Sequence, residues 1–302
     1  MANIIITGGA GFLGHHLCRA LAREGHQLKV IDLKENPEFP TIIADVRSAE
    51  AMLTHIRDAD AVFHLAALIE AGESVKFPQR FVDANISATV NILEAMRQNG
   101  ISQFLFSSSA AVYGDPVRTP IQEDDRTLPV NPYGMTKLAM EGLVSSYVKS
   151  HGFTGIGLRY FNLYGPEELH EPETHAIPRF IDQIRHQQPV TVYGDGGHVR
   201  DFIYIDDVVR GHIQALAVLQ QQPHVYHYCN LSTGQGNTVK EVLDKLSAIM
   251  QVSPQIEWQQ ERPGDPRVLV ADPTKGQALL NWNAQVQLDE GLQKTVEYFM
   301  SR

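Results

Sequence analysis

The chain has 302 residues, 43% hydrophobic and 20% charged, the make-up of a globular protein of one large or two modest domains. Its formal net charge of −10 argues against non-specific binding to nucleic acid or to an anionic membrane, and no apolar run approaches membrane-spanning length. Cys18 and Cys229, far apart, read as buried thiols suited to a reducing cytoplasm, and the 13 scattered histidines lack a matching ligand set, so no metal is expected.

From the N-terminus, residues 3–7 form a short apolar run that starts directly as a strand, without the basic start of a signal peptide. The turn Gly8-Gly9-Ala10-Gly11-Phe12-Leu13-Gly14 follows, after which Leu13, Leu17 and Leu21 recur at helical spacing up to Gly25. A glycine-rich turn between strand and helix lets backbone N–H groups approach a pyrophosphate at the helix N-terminus. The second strand, residues 28–31, ends in Asp32, which can accept both adenosine ribose hydroxyls and would repel a 2′-phosphate. The pattern predicts a dinucleotide site that favours NAD over NADP, although Lys34 lies close by. A purely structural glycine turn is the weaker alternative.

Alternation continues with strands at residues 41–44, 61–65, 103–106 and 155–160, and helices at 48–57, 81–99 and 133–151. Such alternation predicts βαβ units and an α/β fold with a doubly wound parallel Rossmann sheet. Ligands of such sheets bind at strand C-terminal ends, where Asp45, the pair Ala66-Ala67 and the run Ser107-Ser108-Ser109 fall. Asn131 is an expected N-cap with Pro132 at the first helical position, and Tyr133 and Lys137 then share one helical face. The helix dipole and the lysine would both favour a phenolate, a route to a base near neutrality. Alone, a Tyr-x-x-x-Lys pair is as readily a solvated face. Its weight comes from Ser109, whose strand end converges on the same crevice.

Beyond Asn162 the alternation loosens. Residues 167–175 read as an acidic loop, 177–188 as a helix, 190–193 as a strand and 194–197 as a turn. A strand at 199–205, a helix at 206–220 and a strand at 224–229 precede a capping-box helix opening at Thr238 and running to Met250. Helical patterns at 274–280 and 288–300 close the chain. The expected organisation is an NAD-binding Rossmann domain over 1–165, with returning segments near 199–230, and a discontinuous, mainly substrate-binding α/β region over 166–302. Arg200 and Arg262 stand out there: an arginine fork suits a diphosphate, and an aspartate suits ribose hydroxyls, with a surface ion pair as the bland alternative.

Thr7-Gly8-x-x-Gly11-x-x-Gly14, Ser109 before Val112-Tyr113-Gly114, and Tyr133-x-x-x-Lys137, in this order, resemble the extended short-chain dehydrogenase/reductase family. Gly72-Glu73-Ser74, the 107–114 segment and Arg159-Tyr160-Phe161-Asn162 resemble its NAD-dependent sugar-nucleotide epimerases, the UDP-glucose (UDP-galactose) 4-epimerases among them. The resemblance runs essentially end to end. It implies that Gly8, Gly11, Phe12, Leu13, Gly14, Asp32, Asp45, Val46, Leu65, Ala66, Ala67 and Tyr160 contact NAD, together with Tyr133 and Lys137. It implies Ser109, Tyr133 and Lys137 as catalytic residues, and Ser109, Asn162, Val192, Tyr193, Arg200, Arg262 and Asp265 as contacts to a UDP-sugar. Asn85 matches an asparagine in the helix below the family's active site.

Departures from relatives narrow the reading. Sugar-nucleotide dehydratases carry an acid after the serine or threonine, where this chain has Ala110 and Ala111, which cannot transfer protons. Relatives acting on a glucuronate carry a basic residue after the Tyr-Gly-Pro segment; Glu167 and Glu168 stand there and suggest a neutral hexose. Leu269 replaces a tyrosine that limits pocket size, which implies room for an N-acetylhexosamine. The resemblance thus implies 4-epimerisation of a UDP-hexose through a transient 4-keto sugar, in a homodimer formed by the helices at 81–99 and 135–151. A nucleotide-sugar reductase, dehydrogenase or dehydratase is the alternative, and a non-enzymatic dinucleotide-sensing module the third.

Overall fold

The computed structural model describes residues 1–169, 175–261 and 265–302. β1 (Asn3–Thr7), α1 (Phe12–Arg23), β2 (Gln27–Asp32), β3 (Thr41–Ile43), α2 (Ala49–His55) and β4 (Ala61–His64) come first. Next are α3 (Ala71–Lys76), α4 (Pro78–Phe81), α5 (Ala88–Gln98), β5 (Gln103–Ser109), α6 (Pro132–His151), β6 (Thr154–Tyr160) and β7 (Asn162–Tyr164). The remainder holds α7 (Ala176–Arg185), β8 (Val190–Tyr193), β9 (Val199–Tyr204), α8 (Ile205–Gln221), β10 (Tyr226–Leu231) and β11 (Gly236–Thr238). α9 (Val239–Met250), β12 (Ile256–Gln259), β13 (Val268–Leu269), α10 (Thr274–Leu280) and α11 (Leu288–Met300) complete it. Among these, no helix is long and apolar enough to cross a membrane.

Seven strands pair in the order β10-β6-β5-β4-β1-β2-β3, every pair parallel. The predicted doubly wound sheet is therefore present, and its last strand comes from far along the chain. Period-two alternation explains the continuous apolar runs. Ile4 and Ile6 pack into the core shared with helices α1 and α8, while Ile5 enters the core shared with α2, α5 and α6. Sheet reversal occurs between β1 and β4, which sets a crevice at the strand C-terminal ends.

α6 starts as expected: the Asn131 side chain accepts a hydrogen bond from the Gly134 N–H at 2.9 Å, with Pro132 in the first turn. The single helix expected over 81–99 is instead α4, a π-helical turn at Val82–Ser87, and α5. That turn carries Asn85 fully inward, where its amide pairs with both backbone groups of Leu68 (2.8 and 3.0 Å) and donates to Thr136 Oγ1 (2.8 Å). Helical periodicity does not reveal one inserted residue, and the six-residue α3 is too short to announce itself.

In the later part, β9 is the hub. β7 and β13 run parallel to it and β11 antiparallel, while β8 pairs with β12. Strands β7, β11, β12 and β13 have two to four residues each, below the length at which a two-residue period is legible. β7 follows β6 after one residue, so its pairing with β9 holds the Arg200 strand beside the end of the main sheet.

Candidate active site

Gly8 has φ +77°, and a Cβ there would lie 2.5 Å from the Ala66 nitrogen. The Leu65 and Ala66 N–H groups both donate to the Thr7 carbonyl, at 3.0 and 3.1 Å, which presses the β4 end against the glycine turn. At Gly14 a Cβ would lie 2.1 Å from the Gly8 carbonyl oxygen, so α1 can seat on the turn only through a bare Cα. α1 then begins at Phe12 with Gly11 as its N-cap, Phe12 and Leu13 in its first turn, no side-chain cap and no acidic residue there. An uncapped N-terminus with its dipole open is suited to an anion. Asp32 lies at the same turn, accepting from the Ala10 N–H at 2.9 Å and from Leu33 and Lys34 at 2.7 and 3.2 Å. Asp45 is gripped by Arg47 at 2.6–3.0 Å, which holds its carboxyl below the usual range, and Asn91 donates to the neighbouring Val46 carbonyl. A cradle that any Cβ would fill, with an acid at the second strand end, fits a dinucleotide.

Three consecutive serines at the end of β5 each engage a different part of the site. Lys137 is 1% exposed and donates from Nζ to both the carbonyl (2.8 Å) and the Oγ (2.9 Å) of Ser107. Burial pulls its ammonium down to about 7. Ser108, on the other face of the strand, donates to Glu141 Oε1 at 2.5 Å, and Glu141 forms a buried two-point pair with Arg159 (2.9 and 2.7 Å). Ser109 Oγ accepts from the Ala111 N–H at 3.2 Å and hydrogen-bonds the Tyr133 phenol. Tyr133 stands in the first turn of α6, its own N–H donating to Ser74 Oγ at 3.1 Å. The sequence suggests a lowered phenol pKa. In the folded chain burial instead pushes it up to about 12, with the Ser109 bond opposing and the Glu70 carboxylate adding to the rise. Loss of water around the phenol outweighs the dipole, and the Lys137 ammonium is turned to Ser107.

Tyr160 is in register with Ser109 on the adjoining strand. Arg200 is 6% exposed; its guanidinium donates to the Val199 carbonyl at 2.9 Å and to Asp265, so these two expected substrate residues meet. Arg262 lies outside the described residues. Asn162 is exposed at the start of β7; Val192 is fully buried, and Tyr193 ends β8 beside the Arg179 guanidinium. Leu269 is the register partner of Arg200 and packs on the cluster of Ala110, Val112 and Phe161, as does Leu138, next to Lys137. The arginine strand and the tyrosine helix are joined through that cluster.

The two glutamates after Pro166 are both paired. Glu167 pairs with Arg19 of α1 at 2.9 Å, and the fully buried Glu168 meets His175 Nδ1 at 2.5 Å. Both carboxylates of the pair expected to disfavour a sugar carboxylate thus have basic partners. Glu70 and Ser74 were missed as neighbours of Tyr133, although the Gly72-Glu73-Ser74 triplet was a signal. Glu141 was missed too, although it stands one helical turn beyond Lys137 on the same face.

Similarity to known proteins agrees with this geometry. UDP-glucose 4-epimerase of Rhizobium meliloti (strain 1021) is 36% identical over 308 residues, covering 95% of this chain and 93% of that protein. The structure of UDP-glucose 4-epimerase from Thermotoga maritima with UDP-glucose superposes with a TM-score of 0.92 at 31% identity, covering 99% of both chains. That of UDP-N-acetylglucosamine 4-epimerase from Methanobrevibacter ruminantium M1, in complex with UDP-N-acetylmuramic acid, gives 0.90 at 30%, covering 99% of this chain and 98% of that one. Residues 4–229 match the model of the NAD dependent epimerase/dehydratase family, and the chain belongs to that family.

Proposed function

We propose that this protein is an NAD-dependent 4-epimerase of a UDP-hexose, the UDP-glucose/UDP-galactose pair or its N-acetylhexosamine counterpart. The observation that carries the reading is the meeting of Tyr133, Ser109 and Lys137 at one strand end, with Gly8 and Ala66 in contact at the strand ends of the same sheet. Bound NAD supplies the acceptor, and on return the donor, of the hydride at sugar C4, and its positive ring favours the Tyr133 phenolate. Tyr133 takes the C4 hydroxyl proton as the C–H bond breaks. Ser109 hydrogen-bonds the reacting oxygen, and Lys137 sustains the phenolate electrostatically. The 4-keto sugar turns about its diphosphate, held by Arg200, and Tyr133 returns the proton after hydride reaches the other face. Asp265 takes the uridine ribose and the Val192-Tyr193 backbone lies beside the uracil. Ala110 packs in the apolar cluster, so the position that would hold a dehydratase's acid is part of a core here.

Leu269 and the similarity to the Methanobrevibacter enzyme support the N-acetylated pair as a second substrate. Residues 1–165 with the returning strand β10 form the cofactor-binding part, and the strands around β9 the substrate-binding part. The chain acts as a cytoplasmic homodimer through α5 and α6, where Met135 is 51% exposed. The deciding experiment incubates purified protein, without added NAD, with a panel of UDP-sugars. Epimer formation is expected. NADH accumulation without an epimer would replace this reading with a dehydrogenase, and light scattering on the same sample reads the dimer.

A further inference from the structure

Tyr160 ends β6 with its side chain on the α8 side of the sheet, the side on which Ile156 and Leu158 pack. Its hydroxyl lies 2.7 Å from Nε2 of His212 on α8, and the two rings are 5.5 Å apart. His212 is fully buried, and its Nδ1 lies 2.8 Å from the Val208 carbonyl one turn earlier. A carbonyl can only accept, so Nδ1 carries the ring proton. Burial pulls the imidazole down to about 4, so the ring holds one proton at neutral pH and Nε2 is an acceptor. Tyr160 is therefore the donor in the 2.7 Å bond, and its hydroxyl proton is committed to α8. What remains on the phenol oxygen is lone-pair density. Tyr160 is next to Ser109 in register and within charge range of Tyr133, at the end of the crevice where hydride transfer is proposed.

We propose that His212 is a positioning residue of the cofactor site: by accepting the Tyr160 hydroxyl proton it makes the phenol oxygen a fixed hydrogen-bond acceptor for the carboxamide N–H of the nicotinamide. This rests on the reading that the nicotinamide lies beside Tyr133. The arrangement has two consequences. The amide group of the ring meets an acceptor whose orientation is set before binding, which reduces the ordering cost of holding the ring. Tyr160 also stays a neutral phenol beside a Tyr133 that must ionise, since burial holds it well above its ordinary value. Without His212 the hydroxyl is free to rotate and presents a proton to the same amide N–H.

The test measures NADH affinity by fluorescence on cofactor-stripped protein, and the NAD retained by as-purified protein after desalting. His212→Phe should weaken NADH binding about three- to tenfold, the value of one hydrogen bond, while UDP affinity and thermal midpoint report on folding. His212→Gln, which keeps an acceptor near the Nε2 position, should recover most of the loss. Tyr160→Phe should match His212→Phe, and adding His212→Phe to it should cost nothing further. Wild-type affinity in Tyr160→Phe or in a folded His212→Phe overturns the proposal, as does an additive loss in the double variant. Should His212→Phe fail to fold, Tyr160→Phe and His212→Gln decide it alone. A wild-type protein that holds NAD yet forms no epimer removes the proposed activity and leaves this inference standing.

Discussion

The glycine turn and the Arg200 strand are held in place by different forces. At the turn, the backbone of Gly8 meets that of Ala66, and Gly14 lies against the Gly8 carbonyl, so hard-core sterics set the geometry within a few tenths of an ångström. Around β9, the geometry depends on side chains from separate segments: Arg200 reaches Asp265, 65 residues away, over a strand pair of only two residues. Asp265 is 39% exposed at its side chain. A sterically determined site is formed before its ligand arrives, whereas one built on a buried arginine and an exposed aspartate can rearrange when the ligand takes over the charge. The cofactor side should therefore fail abruptly on small changes and the nucleotide side gradually.

Tyr133→Phe should have the largest effect, lowering epimerisation by about 10³-fold with UDP affinity unchanged, as seen by coupled assay and calorimetry. Unchanged turnover would remove the tyrosine as base. Gly14→Ala tests the steric side: the new methyl must displace the turn, so NAD affinity should fall about 10²-fold while UDP binding persists. If NAD binds that variant normally, the contrast drawn between the two sides is broken. On the other side, Arg200→Lys keeps the charge and loses the fork, and should weaken UDP binding about tenfold with bound NAD retained.

A pH comparison sharpens the electrostatics of the cofactor side. Lys137 is buried with its pKa lowered to about 7 from 10.5, so above pH 7 the unfolded chain binds a proton there that the folded chain does not. Stability from this group therefore rises with pH between 7 and 10.5. In cofactor-stripped protein the wild type should gain about 1 kcal/mol relative to Lys137→Met between pH 7 and 8, by chemical denaturation. A constant difference would mean that the ammonium is not desolvated. Smallest of all, Thr238→Ala removes the capping box of α9 and should cost about 0.5–1 kcal/mol while leaving both ligand affinities alone.

Local features were legible from the chain alone. The alternation of strands and helices, the cap at Asn131, the αL stop at Gly152 and the capping box at Thr238 all depend on residues within one or two helical turns of each other. The glycine spacing and Asp32 were equally readable, because strand, turn and helix are contiguous. Features that needed a partner from elsewhere were not. The π turn that buries Asn85 is stabilised by Leu68 and Thr136, 17 and 51 residues away. The Glu141–Arg159 pair, the Tyr160–His212 bond and the engagement of Glu167 by Arg19 likewise join separate elements.

Tyr133 shows where that boundary lies. Its residue type, its place in the first turn of α6 and the lysine four positions on follow from the sequence, since a helix realigns residues at that spacing whatever surrounds it. Its protonation does not. Burial beneath neighbouring elements, with the Glu70 charge adding to it and the Ser109 bond opposing, pushes the phenol up to about 12, and Lys137 is turned to a serine of β5. Connectivity and local sterics were the sequence's to determine. Desolvation and charge depend on the distances between distant segments, and only the tertiary structure decided those.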